Sequence, residues 1–416
     1  MTEETLCGEL ERRAPGQWEL YRKSAESRQI ETSRSLRRVL WRREEGWAAR
    51  WWESGAPRFA AAAAPGALAL AIPQAALLPA AGDPPPEWPS RASPMPAENP
   101  VEPPPDLFEE LARAVAAASR GQARLAFLGL RRGKAAERVV NGAGLDVGQR
   151  HQTFDGVAQA IGRQGSRAHE VRLPFRWREA PEIEALARRL SDAATLPLAD
   201  RPAPFAHGQW LLDPGVAAGI LAALAPLFTA ERPPRWMGRG RIAAPGLAIA
   251  DDASGDAPFD GEGVPTRRVL LVEDGEIAGH LYDLRAATRA GTRSTGHGVR
   301  PSFRTPPSVS PRRLFFEART PAAPEPLLAS VRRGLFAAAL TAPVHVDLER
   351  DRYEVEFTGI SLLAGRAQGP VAGARAAGRI SELLRRITGL STDLQFFAAP
   401  FLTGAPTVLV ERANFE

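Results

Sequence analysis

The chain has 416 residues, of which 53 are lysine or arginine and 48 are aspartate or glutamate, so its formal net charge is +5 at pH 7. A hydrophobic fraction of 44% beside 24% charged residues is typical of a folded globular protein and excludes a chain that is disordered throughout. The length exceeds what one ordinary hydrophobic core organises, so we expect two domains.

The order of charged residues and the single cysteine bear on whether the chain binds nucleic acid, forms a disulfide or holds zinc through cysteines. The arginines between positions 37 and 50 are interspersed with glutamates, so the sequence indicates no isolated basic patch and nucleic acid is not an expected partner. The only cysteine, Cys7, lies close to a chain end that we expect to be mobile. A disulfide within the chain and a zinc site built on cysteines are therefore excluded.

The first predicted domain, residues 1–198, is a mixed α/β unit. From Trp18 to Ala63, short apolar and polar runs alternate and are broken at Gly46 and Gly55, which predicts adjacent antiparallel strands. Residues 59–82 carry no charge and are long enough for a membrane span, but they are rich in alanine and contain three prolines. We therefore predict a buried strand followed by a short alanine-rich helix, and a cytoplasmic protein.

Prolines, helix-capping residues and turn residues predict the loop, helices and strands in the rest of this domain. Residues 83–106 contain so many prolines that they predict an exposed loop or linker. Asp106 can cap a helix that runs to Arg120. Strands are predicted on both sides of a tight turn at Asn141–Gly142. A second helix begins with Pro181 in its first turn, and the domain ends near Leu198.

The second predicted domain, residues 199–416, is rich in strands. Asp213–Pro214 starts a helix directly after a strand, and Asp274–Gly275 predicts a hairpin turn. The other helices predicted here are short: Asp283–Ala290, Pro324–Arg333 and Ala376–Thr388. The predicted fold class is thus α+β, with an N-terminal mixed α/β domain followed by a β-rich C-terminal domain with peripheral helices.

Local catalytic motifs are not evident. No two histidines have the spacing that places both imidazoles on one helix face, and the chain contains no phosphate-binding glycine loop and no serine nucleophile elbow. A dispersed metal site remains open as an alternative. The six histidines are His151, His169, His207, His280, His297 and His345.

An acidic run in the second domain is a further candidate site. Carboxylate oxygens bind hard cations such as calcium. We favour the simpler interpretation of a solvated loop that glycines hold in shape. The carboxylates are Asp251, Asp252, Asp256, Asp260 and Glu262, and the glycines are Gly255, Gly261 and Gly263.

Three motifs occur in order over about forty residues: FDGEGVPTRR from Phe259, a hairpin and helix of the type LVEDGEIAGHLYDLRAATRAG, and STGHGVR from Ser294. This series resembles the C-terminal signature of the TldD/PmbA family, also called modulator of DNA gyrase. A weaker likeness extends to the N-terminal strands, to ERVVNGAGLDVGQR and to the closing glycine-rich region. Gly261 and His297 depart from the family pattern, which has an acidic residue and an asparagine or small residue there.

The resemblance implies a division of labour between two kinds of subunit. In this family they pair to form a zinc-dependent peptidase, and the TldD type carries His-Glu-x-x-x-His on a helix plus a cysteine ligand. Here Asp213, Pro214 and Ala218 stand at the corresponding positions, and they cannot supply a zinc ligand set. The resemblance therefore implies a TldE-like (PmbA-like) subunit without catalytic or metal-binding residues of its own, with zinc in a TldD-like partner.

The expected substrates are unfolded or flexible peptides, including precursors of modified peptides, and without a partner the chain could form a homodimer. Gly261, Gly263 and Pro265 are expected to fix a structural turn. The side chains expected to line the substrate cleft, unless they only stabilise the fold, are Phe259, Asp260, Thr266, Tyr282, Asp283, Ser294, Thr295 and His297.

Two alternatives remain open. In the first, the chain is a stand-alone peptidase with a dispersed site that uses His207, His280 or His297. In the second, it is a regulatory binding protein without enzymatic activity. Metal content and the presence of a partner with the His-Glu-x-x-x-His motif distinguish these alternatives from the subunit interpretation.

Overall fold

The computed structural model describes residues 2–91, 102–177, 183–198, 202–229, 234–237, 240–254, 257–398 and 400–416. The fold is α+β and rich in strands, as predicted. One long antiparallel sheet is built from residues 18–177, and two further sheets enclose the main hydrophobic core of the second half.

The first sheet has six strands in the order β3-β2-β1-β4-β5-β6, and every neighbouring pair is antiparallel. Side chains alternate between the two faces along these long strands, so one face packs against helices and the other against the second half of the chain. The strands are β1 Trp18–Ser33, β2 Arg37–Glu53, β3 Ala56–Ala62, β4 Ala123–Asn141, β5 Asp146–Gln164 and β6 Arg167–Trp177.

Four helices cover two separate parts of one face of this sheet. Helices α1 (Glu3–Arg13) and α2 (Pro65–Ala76) pack on β1, β2 and β3, while α3 (Leu107–Ala118) and α4 (Ile183–Thr195) pack on β4, β5 and β6. The uncharged stretch thus forms a strand and a short helix, as predicted. None of the helices in the described residues has the length and apolar content that crossing a membrane requires.

The second half contains a six-stranded sheet, a seven-stranded sheet and a two-stranded ribbon. Their orders are β10-β9-β8-β13-β20-β19, then β15-β16-β14-β7-β21-β18 with β17 also paired to β16, and β11-β12. The strands are β7 His207–Leu212, β8 Leu247–Asp252, β9 Arg268–Glu273, β10 Glu276–Ile277, β11 Gly298–Val299, β12 Ser308–Val309, β13 Arg313–Ala318, β14 Arg333–Leu340, β15 His345–Asp347, β16 Arg352–Leu363, β17 Arg366–Gly378, β18 Ile387–Leu390, β19 Gln395–Ala398, β20 Leu402–Ala405 and β21 Val408–Asn414.

Helix α5 (Pro214–Leu224) lies between the six-stranded and seven-stranded sheets, where it contacts β13 and β20 on one side and β7 and β14 on the other. Because it has apolar neighbours on both sides, the helix is apolar nearly all round. The three remaining helices, α6 (Leu284–Ala290), α7 (Pro324–Ala329) and α8 (Ile380–Arg385), are short and peripheral.

Several local predictions were wrong. Gly46 does not break a strand but lies inside β2. The segment around Cys7 is helix α1, whose Leu6 and Leu10 are fully buried, so it is anchored to the sheet. Ala376 belongs to a strand, because pairing of β17 with β16 overrides the helix propensity of its alanines.

Two helix boundaries also differ from the predictions. The helix at Pro324 stops at Ala329, and Arg333 already begins β14. The helix predicted from Pro181 is described from Ile183 onward, and Pro181 lies outside the described residues.

The proline-rich segment forms neither helix nor strand over its described residues, but it is not simply exposed. Asp83 and Trp88 are buried, with 7% of each residue accessible. Asp83 forms ion pairs with Arg285 and Arg289, and the Trp88 ring packs edge-on against Trp52 with centroids 5.7 Å apart. The segment therefore ties the first sheet to α6. Residues 92–101 lie outside the described part.

Candidate functional site

The FDGEGVPTRR motif folds into a tight turn around one carboxylate. Oδ1 of Asp260 accepts hydrogen bonds from the backbone N–H of Glu262 at 2.9 Å and of Val264 at 3.0 Å. Oδ2 of the same side chain accepts the N–H of Gly298 at 2.7 Å. Gly263 has a φ of +77°, which favours glycine. Asp260 thus shapes the first motif and attaches the STGHGVR motif to it.

Two glycines permit the close approach of these motifs. The N–H of Gly261 donates to the carbonyl of Gly298 at 2.7 Å. A Cβ atom at Gly261 would lie 2.8 Å from that carbonyl oxygen, and one at Gly298 would lie 2.5 Å from a carboxylate oxygen of Glu262. Backbone packing therefore accounts for glycine at 261, where the family pattern has an acidic side chain.

Strand β1 contacts the STGHGVR motif and the residue that follows it through alternate side chains on one face. Arg300 donates from Nη2 to Glu19 and from Nε to the carbonyl of Gly261, the latter at 2.7 Å. Its guanidinium carbon lies 4.6 Å from the centre of the Tyr21 ring. Lys23 donates from Nζ to the carbonyl of Pro301 at 2.9 Å. The period of two along the strand places Glu19, Tyr21 and Lys23 in one row.

Strand β2 completes the connection with Arg50. This arginine lies opposite Glu19 in the β1–β2 register and donates to its carboxylate at 3.2 Å. It also pairs with Oε1 of Glu262 at 2.6 Å, while Oε2 of Glu262 accepts the N–H of Leu284 at 2.7 Å. These contacts join the first sheet, the first motif and helix α6.

We call this set the buried charge cluster; its members are Glu19, Arg50, Asp260, Glu262, Asp283 and Arg300. Each is at most 5% exposed, and the cluster contains four carboxylates and two guanidinium groups, which pair with Glu19 and Glu262. Burial raises the pKa of Glu262 to about 8, although Arg50 lowers it, and burial raises the pKa of Asp260 to about 6. Asp283 caps helix α6 by accepting the N–H of Ala286 at 2.6 Å.

The buried charge cluster is suited to stabilising the fold and not to catalysis. Its oxygens are taken up by guanidinium groups and backbone N–H donors, and water has little access to them. Within the described residues, no group of three His, Cys, Asp or Glu side chains is arranged to hold a metal ion. The interpretation of the acidic run as a solvated loop was wrong, since Asp251, Asp260 and Glu262 are fully buried. Gly255 and Asp256 lie outside the described part.

His297 is also fully buried. Its Nε2 lies 3.0 Å from Oδ1 of Asp251, and its Nδ1 lies 2.9 Å from the hydroxyl of Thr295. Asp251 accepts further hydrogen bonds from the backbone N–H groups of Arg312 and Arg313 at the start of β13. His297 therefore links the STGHGVR motif to β8 and β13.

The predicted cleft residues fall into two groups. Thr266, Tyr282 and Ser294 are partly exposed, and their contacts leave part of each side chain open to solvent. The other five are buried and bind neighbouring protein groups: Phe259, Asp260, Asp283, Thr295 and His297. A role in lining a cleft stays a prediction, and for the buried group the contacts described here favour stabilisation of the fold.

The sequence analysis did not identify Glu19 and Arg50 as members of the buried charge cluster, nor Asp83 as the partner of Arg285 and Arg289. A signal was present in two cases, because Glu19 and Arg50 are single charges inside runs of tryptophan, leucine and alanine. Such a charge is usually buried and paired. The identity of the partner was not accessible, since Arg300 lies 281 residues after Glu19.

Helix α5 is the element that the family resemblance places at the zinc-binding helix of the TldD type. Asp213 caps its first turn by accepting the N–H of Gly215 at 2.8 Å, and burial raises the pKa of this carboxyl to about 6. Pro214 and Ala218 are buried in the core between the two sheets. His207 is exposed on β7 and His280 is half-buried, and neither belongs to a group of three potential metal ligands within the described residues.

Comparison with known proteins supports the motif analysis. An uncharacterized protein of Methanocaldococcus jannaschii is 30% identical over 192 residues, which are 43% of this chain and 45% of that protein. A metalloprotease TldD homologue of Haemophilus influenzae is 27% identical over 154 residues, or 36% of this chain and 32% of that protein. These matches span less than half of the length of each relative.

The fold resembles that of TldE from Thermococcus kodakarensis, with a TM-score of 0.85, 20% identity and coverage of 99% of both chains. A family model described as the PmbA/TldA metallopeptidase C-terminal domain matches residues 209–416, which include α5, the buried carboxylates of the motifs and both C-terminal sheets. The chain belongs to the PmbA/TldD family.

Proposed function

We propose that this protein is a non-catalytic, TldE-like subunit of a heterodimeric zinc metallopeptidase that cleaves unfolded or flexible peptides. The observation that carries the proposal is the composition of helix α5. At the positions where the TldD type has His-Glu-x-x-x-His, this chain has Asp213, Pro214 and Ala218. Proline and alanine have no ligand atoms, and the single aspartate is engaged as a helix cap.

Peptide hydrolysis at zinc requires several protein ligands, an open coordination position for water and a base that activates it. Helix α5 is enclosed by two sheets, and its side chains fill a hydrophobic core. A histidine at position 218 would have to displace packed neighbours, because Ala218 is only 2% exposed. Both composition and packing therefore favour a scaffolding role, with zinc in a TldD-like partner.

The proposed role in substrate binding depends on strands. A peptide that is recognised through its backbone adds to an exposed sheet edge, which needs well-formed strands and no reactive side chain. Of the predicted cleft residues, Thr266, Tyr282 and Ser294 are partly exposed and are the candidates for such contacts. Peptide maturation or degradation in the cytoplasm is the process that we assign to the complex.

The proposal can be tested by co-expression with a family member that carries the His-Glu-x-x-x-His motif. We expect a stable complex of the two chains that cleaves unfolded peptides and loses activity on chelation. The partner alone should cleave poorly, and this chain alone should not cleave. A glutamine in place of the motif glutamate of the partner is the matched control, and it should abolish cleavage without dissociating the complex. Chelator-sensitive cleavage by this chain in isolation would contradict the proposal.

A further inference from the structure

The hairpin formed by β1 and β2 presents large apolar side chains to solvent at its distal end. Leu36 is 57% exposed, Val39 is 42% exposed and Trp41 is 65% exposed. Exposed tryptophan is uncommon on a surface without a binding role, because burial of its ring is strongly favourable. We call the distal part of this hairpin, residues 28–43, the hairpin tip.

The strand register places a row of aromatic and arginine side chains on one face of the sheet. Trp41 lies opposite Arg28, which lies opposite Arg132 on β4, which in turn lies opposite Phe154 on β5. Directly opposed residues of antiparallel strands share a face. The Arg28 guanidinium carbon is 5.6 Å from the Trp41 ring centre, and Arg132 is 5.6 Å from that of Phe154. Arg28 therefore lies over the Trp41 ring and leaves most of that side chain exposed.

The hairpin tip is strongly basic, which differs from the charge balance that the sequence indicated. It contains six arginines and one glutamate, Glu31, which is paired with Arg38. Of the glutamates that follow in sequence, Glu45 pairs with one tip arginine, Arg43, and with Arg22, while Glu53 pairs with Arg13 outside the tip. Within the described part of the chain, four arginines of the tip have no ion pair: Arg28, Arg34, Arg37 and Arg42.

This composition indicates a protein partner. Tryptophan and arginine are the residues most enriched among those that dominate binding energy at protein interfaces. Recognition of single-stranded nucleic acid uses a series of exposed aromatic rings, whereas the tip offers one, and Arg28 already covers a face of it. A surface with an apolar centre and unpaired arginines is complementary to a partner surface with an apolar pocket and an acidic rim.

We propose that the hairpin tip docks into an acidic, apolar-centred surface of the TldD-like subunit, with Trp41 as the anchor and Arg37 among its basic neighbours. This inference rests on the proposed function, which supplies the partner. Arg37 shares the exposed face with Trp41 through the β1–β2 register. The hydrophobic clusters beneath helices α1–α4 lie on other parts of the sheet and do not include Trp41.

The test measures the affinity of the full-length chain for the co-expressed TldD-like subunit. Trp41→Ala should weaken binding about tenfold or more, and Arg37→Glu should slow association and make its rate less sensitive to salt. Matched controls are Leu70→Ala, which truncates a leucine that is 72% exposed on α2, and Arg366→Glu on exposed β17. Both controls should bind like the wild type.

The outcomes separate the two proposals. If the wild type forms the complex and both tip variants bind as tightly as the controls, the docking inference is wrong while the proposed function stands. If the wild type forms no complex, both are wrong. Binding of duplex DNA by the wild type that is lost in both tip variants would contradict the choice of a protein occupant. Thermal unfolding of each variant shows whether a loss of affinity is separate from a loss of fold.

Discussion

At the scale of single residues, the buried charge cluster joins the first sheet to the motifs of the second half. Arg50 from the first sheet pairs with Glu19 and Glu262, and Arg300 from the STGHGVR motif pairs with Glu19, all at buried positions. Removal of one partner from such a set leaves an unpaired buried charge, which costs about 3–5 kcal/mol. The sequence marked the motif residues, but not their burial, because burial here depends on partners that lie hundreds of positions apart.

The titratable groups of the buried charge cluster predict a pH dependence of the free energy of unfolding. The pKa of Glu262 is raised to about 8 and that of Asp260 to about 6, both by burial, so the folded cluster holds a proton at neutral pH that the unfolded chain does not. The free energy of unfolding should therefore fall as pH rises from about 5 to about 8, with a limiting slope of about 1.4 kcal/mol per pH unit for one proton. Chemical denaturation at a series of pH values measures this slope.

Glu262→Gln tests whether Glu262 causes the fall in the free energy of unfolding with rising pH. The amide oxygen can still accept the N–H of Leu284, but the group no longer titrates. We expect a flatter profile in this variant and an unchanged profile in Glu276→Gln, whose side chain is exposed. A slope in Glu262→Gln equal to that of the wild type would show that the proton resides elsewhere.

A second prediction concerns His297. Since its ring links Asp251 and Thr295 in a fully buried site, His297→Ala should lower the free energy of unfolding by about 1–3 kcal/mol. His207→Ala, at an exposed position, should change it by less than about 0.5 kcal/mol. Normal stability in His297→Ala together with loss of peptide cleavage by the complex would favour a direct role in the reaction.

At the scale of elements, turns and caps were readable from the sequence and long-range contacts were not. The hairpin at Asp274–Gly275 forms as predicted, because both residues take the positive φ values that this turn requires. Asp213 caps α5 as predicted. The failure at Gly46 has a different origin: the glycine makes room for Phe303 of the second half, and no local pattern reveals that neighbour.

Strand β2 should therefore be sensitive to substitution at Gly46. A Cβ atom there would lie 2.3 Å from the ring of Phe303, which is itself 1% exposed. We expect Gly46→Ala to lower the free energy of unfolding by about 1–3 kcal/mol, measured by denaturant titration. Gly66→Ala on α2, where nothing lies within 4 Å, should be neutral or slightly stabilising.

A second substitution distinguishes a steric effect from a general loss of strand pairing. Phe303→Leu introduced together with Gly46→Ala should cost less than the sum of the two single changes, because the smaller side chain relieves the clash. Additive costs would show that the ring does not limit position 46.

At the scale of the whole molecule, the ordered motifs predicted the family and the β-rich fold over most of the chain. They did not predict how the halves are joined, since Asp83 and Trp88 of the proline-rich segment read as exposed and are buried. They also did not predict the basic hairpin tip, because nearby glutamates pair with only two of its six arginines, Arg38 and Arg43, while Glu53 pairs with Arg13 outside the tip. Both features depend on contacts between residues far apart in sequence, which composition does not encode.

The central claim, that this chain relies on a partner for its metal chemistry, is tested most directly by zinc content. Elemental analysis should be performed on the isolated chain and on its purified complex with the TldD-like subunit, after equilibration with equal free zinc. We predict less than one tenth of a zinc ion per isolated chain and about one per complex, consistent with a single set of ligands in the partner. One zinc ion per isolated chain, retained during purification and removed together with peptide cleavage, would contradict the claim.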